Sequence, residues 1–509
     1  MTSLWLDRKI DFPADEFAPG TTYDTVVAGA GLTGLVTALL LARSGQNVLV
    51  LEARHPAAVT TGNTTAKVTL LQDTVLSQLS RQYSQKVVNA YVEMNKEGQS
   101  WLLRYLDSNG LPYQRRTAYT YATTPEGAEK LRMEFAAATS AGLNVNYVRT
   151  AGLPFHITGA VSMDNQAQIN PLDVIEALAR DVKAHGGTIV GNARVTGAEG
   201  SGPVTVKTSL GEVRAKSLVL ATGTPILDRG LYFAKLKPHR SYAAALELPG
   251  FLQAPEGMYL SVEQPTRSLR DYPVDGGGDG TGSGKPLLLV GGSGHPVGKA
   301  GSEQAHLDDL LGWAQSHFPG AKVTHTWSAQ DYQAVNLMPF FGRLPRGRGD
   351  IYFATGYNKW GMTNAVGASL GIAADILDGQ IPWADTLHRR VTAPPAAASA
   401  VGLNAGVGAT LAKDWGKLLV KGTTADGAPE EGTGVVTRSG MRPVATSTVN
   451  GRTCRVSGKC THLGGILHWN DAEKTWDCPL HGSRFTPEGE NLEGPATMPL
   501  AKMPEPGKG

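Results

Sequence analysis

Hydrophobic and polar positions change rhythm along the chain, and each rhythm predicts a different kind of element. Near the start, an apolar run at 25–28 gives way to Gly29-Ala30-Gly31-Leu32-Thr33-Gly34. A stretch of helical composition follows at 35–43, then Ser44-Gly45, then a second apolar run at 48–51 closed by Glu52. Short apolar runs bounded by glycine read as strands and the longer one as a helix, so this segment is strand, turn, helix, strand. "RQYSQKVVNAYVEMNKEGQSWLLRYL" (81–106) reads as helix framing a pocket. "SLVLATGTP" (217–225) is a strand running into Ala221-Thr222-Gly223, and "GDIYFATGYNKWGMTNAVGASLGIAADILDG" (349–379) is a strand, a second Ala-Thr-Gly, a turn and a long helix. "VTAPPAAASAVGLNAG" (391–406) shows no hydrophobic period and reads as the core of a linker or loosely packed strap over 391–413. From Trp415 onward, β-type runs such as "GKLLVKG", "GTGVVTRSG" and "RPVATSTVNGRTCRVSG" alternate with glycine-rich turns, which predicts a small all-β domain over 414–509. "DGGGDGTGSG" (275–284) reads as a surface loop.

Composition narrows the class. A chain of 509 residues predicts two to four domains. Hydrophobic content of 41% with a net charge of +2 suits a soluble globular protein and predicts neither a nucleic-acid surface nor an acidic tail. The start, MTSLWLDRKIDF, lacks the apolar core of a secretory signal, and no uncharged apolar run is long enough to predict a membrane span. Three cysteines cannot form a disulfide framework, so a reducing, cytoplasmic setting is expected.

The chemistry begins at the glycines. Gly29 permits a tight turn, Gly31 lets backbone amides approach a pyrophosphate, and Gly34 lets helix and strand pack closely. The helix N-terminus adds partial positive charge. Glu52 lies 18 residues past Gly34, where its carboxylate can accept from a ribose diol. A plain βαβ turn would need neither Gly31 nor Glu52. The hydroxyl-rich "TTGNTTAKVT" (60–69) can line a cofactor. The expected cofactor-binding residues here are Gly29, Gly31, Leu32, Thr33, Gly34, Glu52, Ala53, Thr64, Thr65, Ala66, Lys67, Thr222 and Gly223. "LLLVGGSGHPVG" (287–298) offers a second dinucleotide turn at Gly292-Ser293-Gly294, for NAD(P)H. Gly298 falls one place late and no carboxylate-terminated strand follows, so a strand and turn of the substrate domain is the preferred reading.

Up to about residue 385, the N-terminal glycines with Glu52, the segment Gly356…Gly361-Met362-Thr363 and the helix after it resemble the D-amino-acid-oxidase-like family of FAD-dependent oxidoreductases, which includes glycine and sarcosine oxidases. The resemblance implies an α/β Rossmann-type FAD-binding domain with an interleaved α+β substrate domain over 1–390. FAD-binding segments are expected at about 21–75, 150–228 and 345–390, and substrate-domain segments at about 76–149 and 229–344. It also implies that Gly356, Gly361, Met362 and Thr363 approach the flavin, the last three at its pyrimidine end. The stretches at 60–69, 263–270 and 287–298 look like a subfamily in which this flavoprotein is fused to a Rieske domain. No cysteine precedes Cys454, which excludes attachment of FAD through cysteine, so the cofactor is expected to be non-covalent.

"CTHLGGILHWNDAEKTWDCPLHGSRF" (460–485) pairs Cys460 with His462 and Cys478 with His481, with fifteen residues between the pairs. Two Cys and two His suit tetrahedral zinc. They also suit a Rieske cluster, in which neutral imidazoles replace two thiolates on one iron and raise the potential. Leu463-Gly464, Cys478-Pro479 and Gly482-Ser483-x-Phe485 resemble the Rieske loops and favour a 2Fe–2S cluster, with Cys460 and Cys478 on one iron and His462 and His481 on the other. Gly465 and Leu480 stand where respiratory-chain Rieske proteins carry an extra disulfide. The resemblance implies that Ser483 donates toward a cluster sulfur and that Phe485 replaces a tyrosine. A middling potential within about −150 to +300 mV is expected. His468 is expected to be a surface or loop histidine and Cys454 an ordinary buried thiol.

The family resemblance implies dehydrogenation of a C–N bond of an amine or imino acid, with electrons leaving through the cluster to an acceptor. Two other readings are a reductase fed through the cluster by an external donor, and a non-catalytic electron-transfer protein. No closely spaced His pair with a nearby Asp matches an oxygenase iron site. Candidate catalytic residues are Lys67, which would face the flavin or be solvated, and Arg240 and Arg267, which would hold a substrate carboxylate or form structural ion pairs. Partners are an amine-type small molecule and a one-electron donor or acceptor protein, with no nucleic acid and no membrane.

Overall fold

The structure, a computed structural model, describes residues 1–200, 202–273, 286–346, 350–421 and 427–504, with the side chains of 420 and 421 excepted. The loop expected at 275–284 lies outside the described residues.

The first strand, Thr22–Ala28, is the centre of a parallel sheet. It pairs with Val48–Leu51 on one side and with Gly211–Leu220 on the other, which place Val27 beside Val50 and Val219. Thr188–Val190 and Ile351–Thr355 extend the parallel core outward. Four-residue strands buried on both faces, such as Val48–Leu51, carry the continuous apolar runs that a helix-covered parallel sheet requires. The helix Leu32–Arg43 lies on this sheet. A Cβ on Gly34 would stand 1.8 Å from the Gly29 carbonyl oxygen, so Gly34 is what lets the helix start so close to the turn. The long helix Gln85–Ser108 crosses Gly361–Ile376 at a second small-residue contact, where a Cβ on Gly98 would meet the Thr363 carbonyl oxygen at 2.5 Å.

A nine-stranded mixed sheet forms the second layer, ordered from Lys322–Ala334 through Leu236–Glu247, Leu287–Pro296, Arg267–Tyr272, Met258–Ser261, Tyr113–Ala122 and Gly159–Ile169 to Lys67–Val68, with Asn146–Val148 also paired to Gly159–Ile169. Leu287–Pro296 is one continuous strand, so Gly292-Ser293-Gly294 is not a strand–turn–helix and the NAD(P)H alternative fails. The strands interleave more than the expected segments did. Lys67–Val68 and Gly159–Ile169, assigned to FAD-binding segments, pair within this second sheet, and Phe340–Arg343, assigned to the substrate domain, pairs with Ile351–Thr355 at the edge of the first.

The expected linker is instead a helix, Pro394–Lys421, and residues 416–421 of "GKLLVKG" fall in it rather than in a strand, its last residue lying outside the described residues. Alanine favours helix and the paired prolines are tolerated in its first turn. The apolar stripe is sparse because alanine and glycine fill the intervening positions. Val407 and Leu411 pack on the cluster-domain core, Leu418 is buried, and the Trp415 Nε1–H donates to the Gly464 carbonyl oxygen at 3.1 Å. Beyond it the domain is all β: a meander of Gly434–Ser439, Arg442–Val449 and Arg452–Ser457, and a four-stranded sheet of His468–Asn470, Thr475–Asp477, Arg484–Phe485 and Asn491–Glu493. Cys454 is half-buried beside Glu488 rather than buried. His468 starts a strand, its Nε2 3.1 Å from Asp414.

Candidate functional site: a cavity and a pair of loops

Two helix N-termini open into one cavity. In Leu32–Arg43 and Gly361–Ile376 the residue before the helix makes no side-chain cap bond and the first turn carries no acidic residue, so both positive helix ends open on the cavity, the Leu32 amide donating meanwhile to the Thr61 hydroxyl at 3.3 Å. Of the residues the sequence proposed, Gly29, Gly31, Leu32, Thr33, Glu52, Ala53, Thr64, Thr222, Gly223, Gly356, Gly361 and Met362 line this cavity. Gly29 holds φ +107, and a Cβ there would stand 2.5 Å from the Ala221 carbonyl oxygen. The Glu52 carboxylate is fixed by the amides of Ala30 at 2.9 Å and Arg54 at 3.0 Å, at the far end of the turn. An amide-lined turn with an aligned carboxylate, and a second helix N-terminus, fit the diphosphate, ribose and pyrimidine parts of FAD respectively.

Five proposed residues lie behind this wall. Gly34 packs against Gly29, and Thr363 exchanges hydrogen bonds with Asn95 and Gln72. The carbonyl oxygens of Thr65 and Ala66 accept from Arg270. Lys67 is half-buried and does not line the cavity. Its Nζ donates to the Tyr259 carbonyl oxygen at 2.7 Å and to Ser268, and burial pushes its pKa well below the usual lysine range.

Both candidate carboxylate-binding arginines are structural. Arg267 pairs with Asp309 at 2.8 Å and lies against the Trp313 ring. Arg240, 1% exposed, bridges the two halves of the chain through Glu473 at 2.8 Å and Glu493 at 2.6 Å. Among the described residues, three cations that the sequence reading passed over line the cavity: Arg54, Arg194 and, in the turn before the second helix, Lys359. Asn358 and Lys359 both hold positive φ (52° and 70°), and the Asn358 Oδ1 fixes the turn by accepting from the Ala334 amide at 2.7 Å. Beside it, burial pushes the Asp331 carboxyl up to about 6, and Lys359 only partly offsets this. Tyr332 and Tyr357 complete this side of the wall.

The two loops of the Cys/His motif are built alike. In the first, the Cys460 amide donates to the Gly465 carbonyl oxygen and the Gly464 amide to that of Cys460. In the second, the Cys478 amide donates to the Ser483 carbonyl oxygen and the Gly482 amide to that of Cys478. Gly464 and Gly482 turn the loops at φ 73° and 76°. The motif residues therefore come together as pairs. The Cys460 and Cys478 thiols are hydrogen-bonded, which pulls Cys460 down to about 7, while Cys478 is pushed up. The His462 and His481 rings stand 5.1 Å apart, and both Nδ1 atoms are buried with no hydrogen-bond partner. Among the described residues no three His, Cys, Asp or Glu side chains gather as one metal ion would require. A thiol pair facing an imidazole pair fits the two irons of a 2Fe–2S cluster. A Cβ on Gly465 would meet Leu480 at 2.8 Å, so the positions of the missing disulfide face each other and Leu480 fills the space. Ser483 bonds the Cys460 thiol.

These loops are seated on the FAD half of the same chain. The Phe233 ring stands edge-on to both histidines, at 5.2 and 4.9 Å, and Asp228 is 3.2 Å from the His462 Nε2. Gln330, 2% exposed, donates from one amide nitrogen to the Gly482 carbonyl oxygen at 2.8 Å and to the Tyr332 hydroxyl at 3.0 Å, while its oxygen accepts from Arg240. Asp471 caps the helix Glu303–His317 through Ser302 and the amides of Glu303 and Gln304.

The geometry agrees with what similar proteins show. Residues 24–374 match the family model "FAD dependent oxidoreductase" (DAO), and residues 423–504 match that of the Rieske [2Fe-2S] domain. The chain belongs to the DAO family of FAD-dependent oxidoreductases, carries a C-terminal Rieske domain, and uses FAD and a 2Fe–2S cluster. It is 31% identical to the Rieske 2Fe-2S iron-sulfur protein YhfW of Bacillus subtilis, over 97% of this chain and 95% of that one. It is 24% identical to gamma-glutamylputrescine oxidoreductase of Escherichia coli, over 69% of this chain and 83% of that one. The fold is similar to that of glycine oxidase from Geobacillus kaustophilus, with a TM-score of 0.58 at 17% identity, covering 71% of this chain and 96% of that one. Among the described residues no helix is long and apolar enough to cross a membrane.

Proposed function

We propose that this oxidoreductase dehydrogenates the C–N bond of an amine or imino acid and passes the electrons from FAD to the Rieske cluster of the same chain, and from there to a one-electron acceptor protein. The substrate loses two electrons and two protons as its C–N single bond becomes C=N. FAD, when bound, supplies a two-electron acceptor in contact with the substrate and a one-electron donor to the cluster.

The observation that carries the reading is the seat of the cluster loop on the cavity wall. Gly482, next to His481, is hydrogen-bonded to Gln330, which is bonded in turn to Tyr332 of the cavity. In this reading Gly29, Gly31 and the amides of Leu32 and Thr33 hold the diphosphate, Glu52 the ribose, and Gly361 and Met362 the pyrimidine end. Cys460 and Cys478 ligate one iron, and His462 and His481 ligate the other through Nδ1. Lys359 supplies the cation for a substrate carboxylate. An amine-type substrate is supported by the name of gamma-glutamylputrescine oxidoreductase and by the amino-acid-oxidase fold. A cytoplasmic setting accompanies the reading, supported by a chain with three cysteines, two of them in the cluster motif.

The test is anaerobic stopped-flow on Cys478→Ser with a panel of amines and imino acids. Flavin bleaching by substrate should survive, while transfer to a one-electron acceptor falls. If substrate no longer bleaches the flavin in a folded variant, electrons enter through the cluster and the reductase direction replaces this one.

A further inference from the structure

The FAD cavity is not closed by the FAD half alone. Leu492, Glu493, Gly494 and Thr497, all from the Rieske domain, line it together with Glu52, Arg54 and Arg194. We propose that the 491–497 loop of the Rieske domain is the outer wall of the FAD site, and that it retains the cofactor in a chain with no covalent attachment through cysteine. The proposal rests on the placement of FAD in this cavity.

The loop is held on three sides. The Arg194 guanidinium donates to the Asn491 carbonyl oxygen at 2.9 Å, joining the loop to the FAD half. Glu493 pairs with Arg240 at 2.6 Å and with Arg484 at 2.7 Å. On the cluster side, the Ala496 amide donates to the Ser483 Oγ at 3.1 Å, and Gly494, at φ 102°, packs so closely that a Cβ would stand 2.4 Å from the Ser483 Cα. Ser483 belongs to the second cluster loop. One segment therefore touches the FAD cavity with one face and the cluster loop with the other, so seating of the Rieske domain and retention of FAD are thermodynamically linked. A docked domain must lift or bend this loop before FAD can leave.

The test measures FAD release from full-length protein carrying both cofactors, by recovery of free-flavin fluorescence after dilution. The Rieske EPR signal reports that the domain remains folded. Leu492→Ala and Thr497→Trp alter the wall, and Gly31→Val alters the FAD half as a control. With the EPR signal intact, Leu492→Ala should release FAD about fivefold faster or more, and Thr497→Trp should lower FAD content as purified. If Gly31→Val depletes FAD while both loop variants release it at the parent rate and hold it in full, the wall is overturned and the cavity stands. If Gly31→Val leaves FAD content unchanged, FAD lies elsewhere and both statements fall. Should Thr497→Trp lose the EPR signal, Leu492→Ala alone decides.

Discussion

The two cofactor sites of this chain are built from different parts of the amino acid. The FAD cavity is made mainly of backbone: glycines without Cβ atoms, two helix N-termini, and a carboxylate held by two peptide N–H groups. The cluster site is made of four side chains on two matched turns. Backbone sites degrade by degrees when a side chain changes, whereas a ligand set fails as a unit. The Cys478→Ser variant should therefore hold no Rieske cluster at all, read as loss of the EPR signal, whereas changes at single cavity side chains should only weaken FAD.

Buried carboxylates show the same contrast. In the FAD half, Glu134 is wholly buried and accepts from the Leu76 and Ser77 amides at 3.1 and 2.8 Å, makes no ion pair among the described residues, and is pushed up to about 7 by burial. At the domain interface, burial would likewise raise Glu473, but Arg240 and Arg484 hold it down to about 2. Arg240→Met removes one of those cations and leaves Glu473 and Glu493 sharing Arg484. We expect a loss of about 3 kcal/mol, the lower end for breaking a buried pair, measured as a shift in the urea midpoint for bleaching of the cluster absorbance.

The pH dependences run in opposite directions. Glu473 is depressed, so its contribution is complete above the unfolded carboxylate value and is lost as pH falls toward about 2. Glu134 is raised, so the folded state keeps a proton that the unfolded state has already released, and stability falls as pH rises from about 4.5 to about 7. Glu134→Gln should flatten that part of the pH profile. Between pH 4.5 and pH 8 the variant should lose less stability than the parent by about 3 kcal/mol, whatever the fixed cost of setting a Gln NH2 against one of the two amides, checked by thermal unfolding across the range.

What the sequence made legible follows from the same division. The cluster ligands and the first dinucleotide turn were readable because residue identity at fixed spacing is the chemistry itself. Arg240 was not, because its partners Glu473 and Glu493 stand 233 and 253 residues away and only the docked fold brings them together. The helix Pro394–Lys421 was read as a linker up to 413 and as strand beyond, because alanine and glycine make up eleven of its 28 residues and space out the larger apolar positions that pack, such as Val407, Leu411 and Leu418. Lys359 lay inside a segment already singled out, yet its place on the cavity depends on a turn with two positive φ angles, and its Nζ donates to Ser241, 118 residues away in sequence, at 2.9 Å. The interleaving of strands such as Lys67–Val68 into the second sheet is likewise a matter of tertiary pairing, which a two-residue strand does not announce.

The central claim is that electrons cross from FAD to a cluster docked on the same chain. Rapid freeze-quench of the loaded protein with an amine substrate, without oxygen, tests it most directly by following flavin absorbance and the Rieske EPR signal together. Flavin bleaching should come first, and the EPR signal should then rise at a rate independent of protein concentration, as transfer within one chain requires. An EPR signal that precedes flavin bleaching, or one whose rate scales with protein concentration, would contradict the account.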